Sequence, residues 1–235
     1  MLSPADYILW AASVLMDALA IFCLIKSRSF TRYIALGLFL VTSVLATSVS
    51  FAILATYGYK SHQYYYFYFY TDALMTIFLF FVLMGLYAHV FAELGVGKYV
   101  RAGAMLILAG TALVSIKIVA GSSHGKMLPL FIMELSQNLY FVGLVLTYVL
   151  WGAVMKLRET RTRLIQLVLS LGVYFSAFAA SYALGNLYPS STLWRYTAPI
   201  LEICLPAAWA YTFSQVNEDA RLAVASVAAG SSISR

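Results

Sequence analysis

Seven apolar runs, separated by short polar gaps, dominate this sequence: Tyr7–Ile25, Tyr33–Thr56, Tyr70–Phe91, Ala102–Ala120, Leu128–Trp151, Leu164–Leu184 and Leu193–Phe213. A helix that crosses the hydrocarbon core of a bilayer needs about 20 mostly apolar residues. Backbone groups in lipid must be satisfied within the chain, and these runs are continuous rather than alternating, so helices are expected and barrel strands are not. The expectation is an all-α integral membrane protein, a bundle of seven transmembrane helices over residues 1–213 with a short tail at 214–235.

Composition agrees. Of 235 residues, 63% are hydrophobic and 10% charged, against about 45–50% and 25% in ordinary globular chains. A water-soluble fold would lack the polar surface to cover such a core. The net charge of +6 is spread over the gaps in small clusters, the pattern of topology signals rather than of phosphate contacts, so no nucleic-acid partner is expected. Cys23 and Cys204 lie inside apolar runs and form no metal-binding spacing. The first residues, MLSPADYILW, lack a basic region before the apolar stretch, so the first run is expected to be a retained span.

Lys and Arg near the span ends set orientation. One side collects Lys26, Arg28, Arg32, Lys98, Arg101, Lys156, Arg158, Arg161, Arg163, Arg221 and Arg235; the other has Lys60, Lys117, Lys126 and Arg195. This bias puts the N-terminus outside and the C-terminus in the cytoplasm, in a membrane expected to be the bacterial cytoplasmic (inner) membrane. Lys117, near the outer end of its span, is expected to snorkel to the interface. The aromatic cluster His62–Tyr70 reads as an interfacial belt, with ligand binding as its alternative. Glu218, Asp219 and Arg221 suggest a brief interfacial helix.

Spans 1 and 5 close alike, on Lys26-Ser-Arg28 and Lys156-Leu-Arg158, and spans 3 and 7 open on Tyr70-Thr-Asp and Tyr196-Thr-Ala. With one span between the halves, this describes a parallel 3+1+3 repeat, which places a site between the halves near mid-membrane; chance likeness of apolar runs is the alternative. In span count and polarity the layout is similar to SWEET sugar transporters, PnuC-type vitamin transporters and microbial rhodopsins. The rhodopsin resemblance implies a retinal-bearing Lys in the seventh span, and Leu193–Phe213 contains none.

Ionisable groups at bilayer depth cost at least about 2.5–3.5 kcal/mol on insertion scales, so each is a functional candidate. Glu202 stands between Pro199 and Pro206, and Pro206 deprives the Glu202 carbonyl of its helical donor. Glu134, Gln137 and Asn138 share one face of span 5. Asp17 continues a stripe of Asp6, Trp10 and Ser13. Asp72, with Thr76, falls at the outer rim, where an ion pair with Arg195 or Lys126 is expected. His89 is expected to be an interfacial hydrogen-bonding residue. His62 and His124 lie on the opposite side, so no haem is expected. Ser43, Thr47 and Ser50, the face of Gln166, Ser170, Tyr174, Ala177 and Ser181, and Gly103 and Gly110 read as packing first and cavity lining second.

No nucleophile–base pair, metal cluster or phosphate loop has the spacing its chemistry needs, so no enzyme activity, metal or cofactor is expected. The leading expectation is a small transporter or solute-binding permease for a polar small molecule, cationic ones included, with Glu202, Glu134 and Asp17 at its centre. A protonating carboxylate would couple protons to substrate. Besides the lipid bilayer, the partners to consider are a small-molecule ligand and other membrane subunits or further copies of the chain. Two alternatives follow: a ligand sensor whose basic loop Lys156–Arg163 docks a partner, and a non-catalytic subunit of a larger membrane complex.

Overall fold

A computed structural model describes residues 4–58, 61–91, 97–120, 127–156, 161–187 and 194–216. Seven α-helices account for almost all of them: α1 (Pro4–Lys26), α2 (Ile34–Tyr57), α3 (His62–Val90), α4 (Gly97–Ala120), α5 (Met127–Lys156), α6 (Thr162–Leu187) and α7 (Trp194–Gln215). Six of these contain stretches long and apolar enough to cross a membrane: Asp6–Lys26, Ile34–Tyr57, His62–Val90, Ala102–Ala120, Pro129–Lys156 and Thr162–Leu184. The seventh, α7, is not among them. Trp194, Arg195, Tyr196, Glu202, Pro199, Pro206 and Gln215 dilute its apolar content. Leu15, Leu45, Leu106, Leu113, Val145 and Val173 point outward, as lipid-facing residues do.

Six helices close into a ring, and α4 stands outside it. Around the ring α1 packs on α2, α2 on α3, α3 on α5, α5 on α6, α6 on α7, and α7 back on α1; α4 leans on α5 and α3 from outside. Exchanging α1, α2 and α3 with α5, α6 and α7 maps each of those six neighbour pairs onto another. A polar tie crosses several of the interfaces: Tyr87 Oη donates to the Leu146 carbonyl at 2.5 Å, Trp209 Nε1 to Ser170 Oγ at 3.1 Å and Asn138 Nδ2 to Ser115 Oγ at 3.0 Å. Such interhelical bonds in lipid average about 0.6 kcal/mol, so apolar packing carries most of the association. At the α5–α6 crossing, a methyl group added at Gly143 would run into the Phe175 ring, so the lack of a side chain there sets how closely the two helices approach.

Two local details correct the boundaries expected from sequence. The third span was expected to open at Tyr70, but α3 starts at His62, where the Ser61 side chain caps the helix by accepting from Tyr64 N at 3.1 Å. The preceding turn passes through Gly58 at φ 78°, a left-handed conformation suited to glycine. The aromatic cluster is therefore the first two turns of a long helix. The second detail concerns Arg163, grouped from sequence with an exposed basic loop. It is buried, 4% exposed. Its Nη1 donates to Ser29 Oγ at 2.8 Å, Nε to the Val216 carbonyl at 2.9 Å and Nη2 to the same carbonyl, while its guanidinium lies 5.4 Å from the Phe213 ring centre. Arg161 donates to the His89 carbonyl at 3.1 Å, and His89 Nδ1 pairs with the Gly85 carbonyl while its ring stacks on Tyr33. These bonds tie α7, the α1–α2 turn, α3 and α6 together at one end of the bundle.

Glu218, Asp219, Arg221 and Arg235 of the tail lie outside the described residues, as do Lys60, His124, Lys126 and Arg158 and the side chains of Lys98, Arg101 and Arg195. Lys117 is exposed.

Candidate functional site: an acidic, aromatic-walled cavity

At the end of the ring opposite Arg163, the helices do not close on one another. A cavity of about 150 Å³ lies among them, several times what a single water needs. From α1 it takes Trp10 and Asp17, and from α2 Phe39, Ser43, Thr47 and Ser50. The first half of α3 adds Tyr64, Tyr68, Thr71, Asp72 and Met75. Then come Tyr140 of α5, Tyr174 of α6, and Glu202, Leu205 and Pro206 of α7. Every helix of the ring contributes, and α4 does not.

Three of the lining residues are carboxylates, and among the described residues no Lys, Arg or His lines the cavity. They differ in depth. Asp17 is buried, 1% exposed, with Ser43 Oγ donating to its Oδ2 at 2.6 Å; its Oδ1 is buried without a hydrogen-bond partner. Asp72 is half-buried. Glu202 is exposed, as is Tyr68. Asp17 holds its place because residues 10, 13 and 17 share one helix face: Trp10 lines the cavity beside it and Ser13 is buried. Glu202, Leu205 and Pro206 likewise form one face of α7, which runs unbroken through both of its prolines.

The back wall is aromatic. The Tyr140 ring stacks on Phe178 with centroids 4.6 Å apart, and the Tyr174 ring also lies 4.6 Å from Phe178. Tyr140 further contacts Phe175 at 6.2 Å. This cluster fixes both tyrosines, so the wall is preformed.

Of the six residues singled out from sequence, the cavity brings together Asp17, Asp72 and Glu202. It leaves out Glu134, Gln137 and Asn138. Asn138 turns its amide to Ser115 on α4, and Glu134 and Gln137 on the same helix are half-buried. Asp72 was expected at the outer rim of a span opening at Tyr70, and α3 starts earlier than that. The helix begins ten residues before it, about 15 Å at 1.5 Å per residue. Thr76 spends its hydroxyl on the Asp72 carbonyl at 2.8 Å. Of the ion pairs expected for Asp72, Lys126 and the Arg195 side chain lie outside the described residues.

Sequence reasoning ranked Ser43, Thr47, Ser50 and Tyr174 as packing residues and passed over Tyr140. The signal for the first three was present, a polar stripe at helical spacing on α2. Tyr174 shared a face with Gln166, Ser170 and Ser181, but Tyr140 carried no signal, because a tyrosine in an apolar run looks the same whether it faces lipid, core or cavity. The chain matches no protein-family model, no curated protein and no solved structure.

Proposed function

We propose that this chain is a membrane transporter or solute-binding permease for a small polar cation, with the cavity as its binding site. The observation that supports the reading is the convergence of Asp17, Asp72 and Glu202 on one aromatic-walled cavity lined by no basic residue among those described. Charges at bilayer depth are expensive, and three of one sign in one hollow are compensated by bound cations or by protons. Of the three, Asp17 is the most buried and Glu202 the most exposed.

In this reading α7 crosses the membrane with the other six helices, N-terminus outside and C-terminus in the cytoplasm, in a bacterial inner membrane. Its position in the ring between α1 and α6 supports this, and its lower apolarity follows from presenting Glu202 to a cavity rather than to lipid. The exchange symmetry of helix neighbours supports a parallel 3+1+3 repeat with the site between the halves. A cavity in one half of the bundle, opposite the end tied by Arg163, fits a carrier loaded from the outer face.

Reconstitution in liposomes tests the reading. Saturable uptake of labelled small organic cations, lost in Glu202→Gln with the fold retained, is the expected result. Binding with no flux for any cation in the panel would convert the permease into a sensor. A stable complex with different chains in native mass spectrometry would make the chain a subunit of a larger assembly.

A further inference from the structure

Three features of the cavity narrow the kind of cation it takes. Among the described residues, no group of three His, Cys, Asp or Glu side chains comes close enough together to hold a metal ion. Asp17, Asp72 and Glu202 therefore share a cavity as separate points of negative charge. A calcium ion draws six to eight oxygens into one shell at about 2.3–2.6 Å, and these carboxylates do not form one.

The second feature is the floor. Asp17 Oδ2 accepts from Ser43, while Oδ1, on a residue 1% exposed, has no partner among the described residues. Asp17 lines the cavity, and a carboxylate there favours a ligand that brings it an N–H or O–H over one that cannot donate. The third feature is the wall. Trp10, Tyr64, Tyr140 and Tyr174 line the same cavity as the three carboxylates, and aromatic rings attract ammonium groups while accepting the methylenes between them.

We propose that the cavity binds a short alkylamine with one protonated amino group paired with the Asp17 carboxylate, and that a diamine, whose second ammonium meets Asp72 or Glu202, binds more tightly than a monoamine. This rests on the reading of the cavity as a solute site. It specifies an ammonium ion bearing N–H bonds, which excludes metal cations and quaternary ammonium as the preferred ligand.

The experiment is calorimetric titration of the purified full chain in detergent with 1,4-diaminobutane, n-butylamine, tetramethylammonium, sodium and calcium. Saturable binding of 1,4-diaminobutane is expected, with n-butylamine and tetramethylammonium each at least tenfold weaker and no displacement by either metal ion at equal concentration. Asp17→Asn weakens the diamine tenfold or more at an unchanged melting temperature. Should Asp17→Asn not fold, Asp72→Asn takes its place and must weaken the diamine more than the monoamine. The proposal is overturned if neither amine binds the folded wild-type chain, if calcium or sodium displaces the diamine, or if the folded variant binds it as wild type does. Flux separates the two readings: amine binding without uptake removes the transporter and keeps the ammonium site, while uptake of another solute without amine binding does the reverse.

Discussion

Ser43 donates to Asp17 across 2.6 Å, from α2 to α1, and this bond both joins two helices and holds one carboxylate oxygen while the other is buried with no partner among the described residues. Removing the donor leaves a second oxygen of a buried carboxylate without a partner, a loss of about 1–3 kcal/mol. Ser43→Ala should therefore lower stability by that order in a denaturant titration in detergent. An unchanged unfolding midpoint would show that water replaces the hydroxyl and that the bond is not structural.

Glu134, Gln137 and Asn138 separate the sequence expectation from the tertiary arrangement. Because they do not line the cavity, Glu134→Gln should leave cation affinity within about twofold of wild type, far below the tenfold that a 1.4 kcal/mol contact represents. Asn138→Ala removes the bond to Ser115 and should loosen α4, seen as faster amide exchange in α4 than in α1. A tenfold loss of affinity in Glu134→Gln would return this helix face to the site.

At Gly143 a methyl group has no room beside Phe175, itself 1% exposed and packed on Tyr140. Overpacking of this kind costs about 1–3 kcal/mol. Gly143→Ala should lose that much stability and weaken ligand binding as well, because the displaced ring bears on the cavity wall. Gly103 and Gly110 on α4 have open space where a Cβ would go, so Gly103→Ala should be neutral or stabilise by up to about 1 kcal/mol through helix propensity. Equal effects at positions 143 and 103 would contradict the close α5–α6 approach.

Arg163 ties the far end of the bundle through a planar fork that lysine cannot reproduce. Arg163→Lys keeps the charge but loses the simultaneous bonds to Ser29 and Val216. A loss of about 1–3 kcal/mol is expected for bonds from a buried charged group, read as a lower melting temperature. A lysine variant as stable as wild type would mean that the charge, not the fork, holds this end.

The proposed crossing of α7 is open to direct labelling. In a chain with Cys23 and Cys204 replaced by serine, a cysteine at His62 should react with an impermeant thiol reagent added outside intact cells. One at Gln215 should react only after permeabilisation. Labelling of both from outside would leave α7 on the surface and reduce the count to six.

How far the sequence reached differs by element. The α1 stripe was legible because an aspartate at the spacing of Trp10 and Ser13 on an otherwise apolar helix has one sensible direction to face. α3 was misjudged at its start because seven aromatic residues, His62–Tyr70 with its tyrosines and phenylalanines, suit a membrane interface and a helix equally well; the Ser61 cap decides it. Arg163 was misplaced because a basic residue at a span end reads as a topology signal whether it meets water or the Val216 carbonyl.

By itself the sequence determined that the chain is helical and apolar enough for lipid, and which few positions carry charge inside those helices, since both follow from run length and composition. Which of those charges meet was decided only by tertiary structure. Asp17, Asp72 and Glu202 are separated by 55 and 130 residues, and helical periodicity fixes the face of each helix but not its neighbour in the ring. The ring order put α1, α3 and α7 around one hollow and turned Asn138 of α5 toward α4, because packing among helices, rather than any signal along the chain, selects which polar faces share a space.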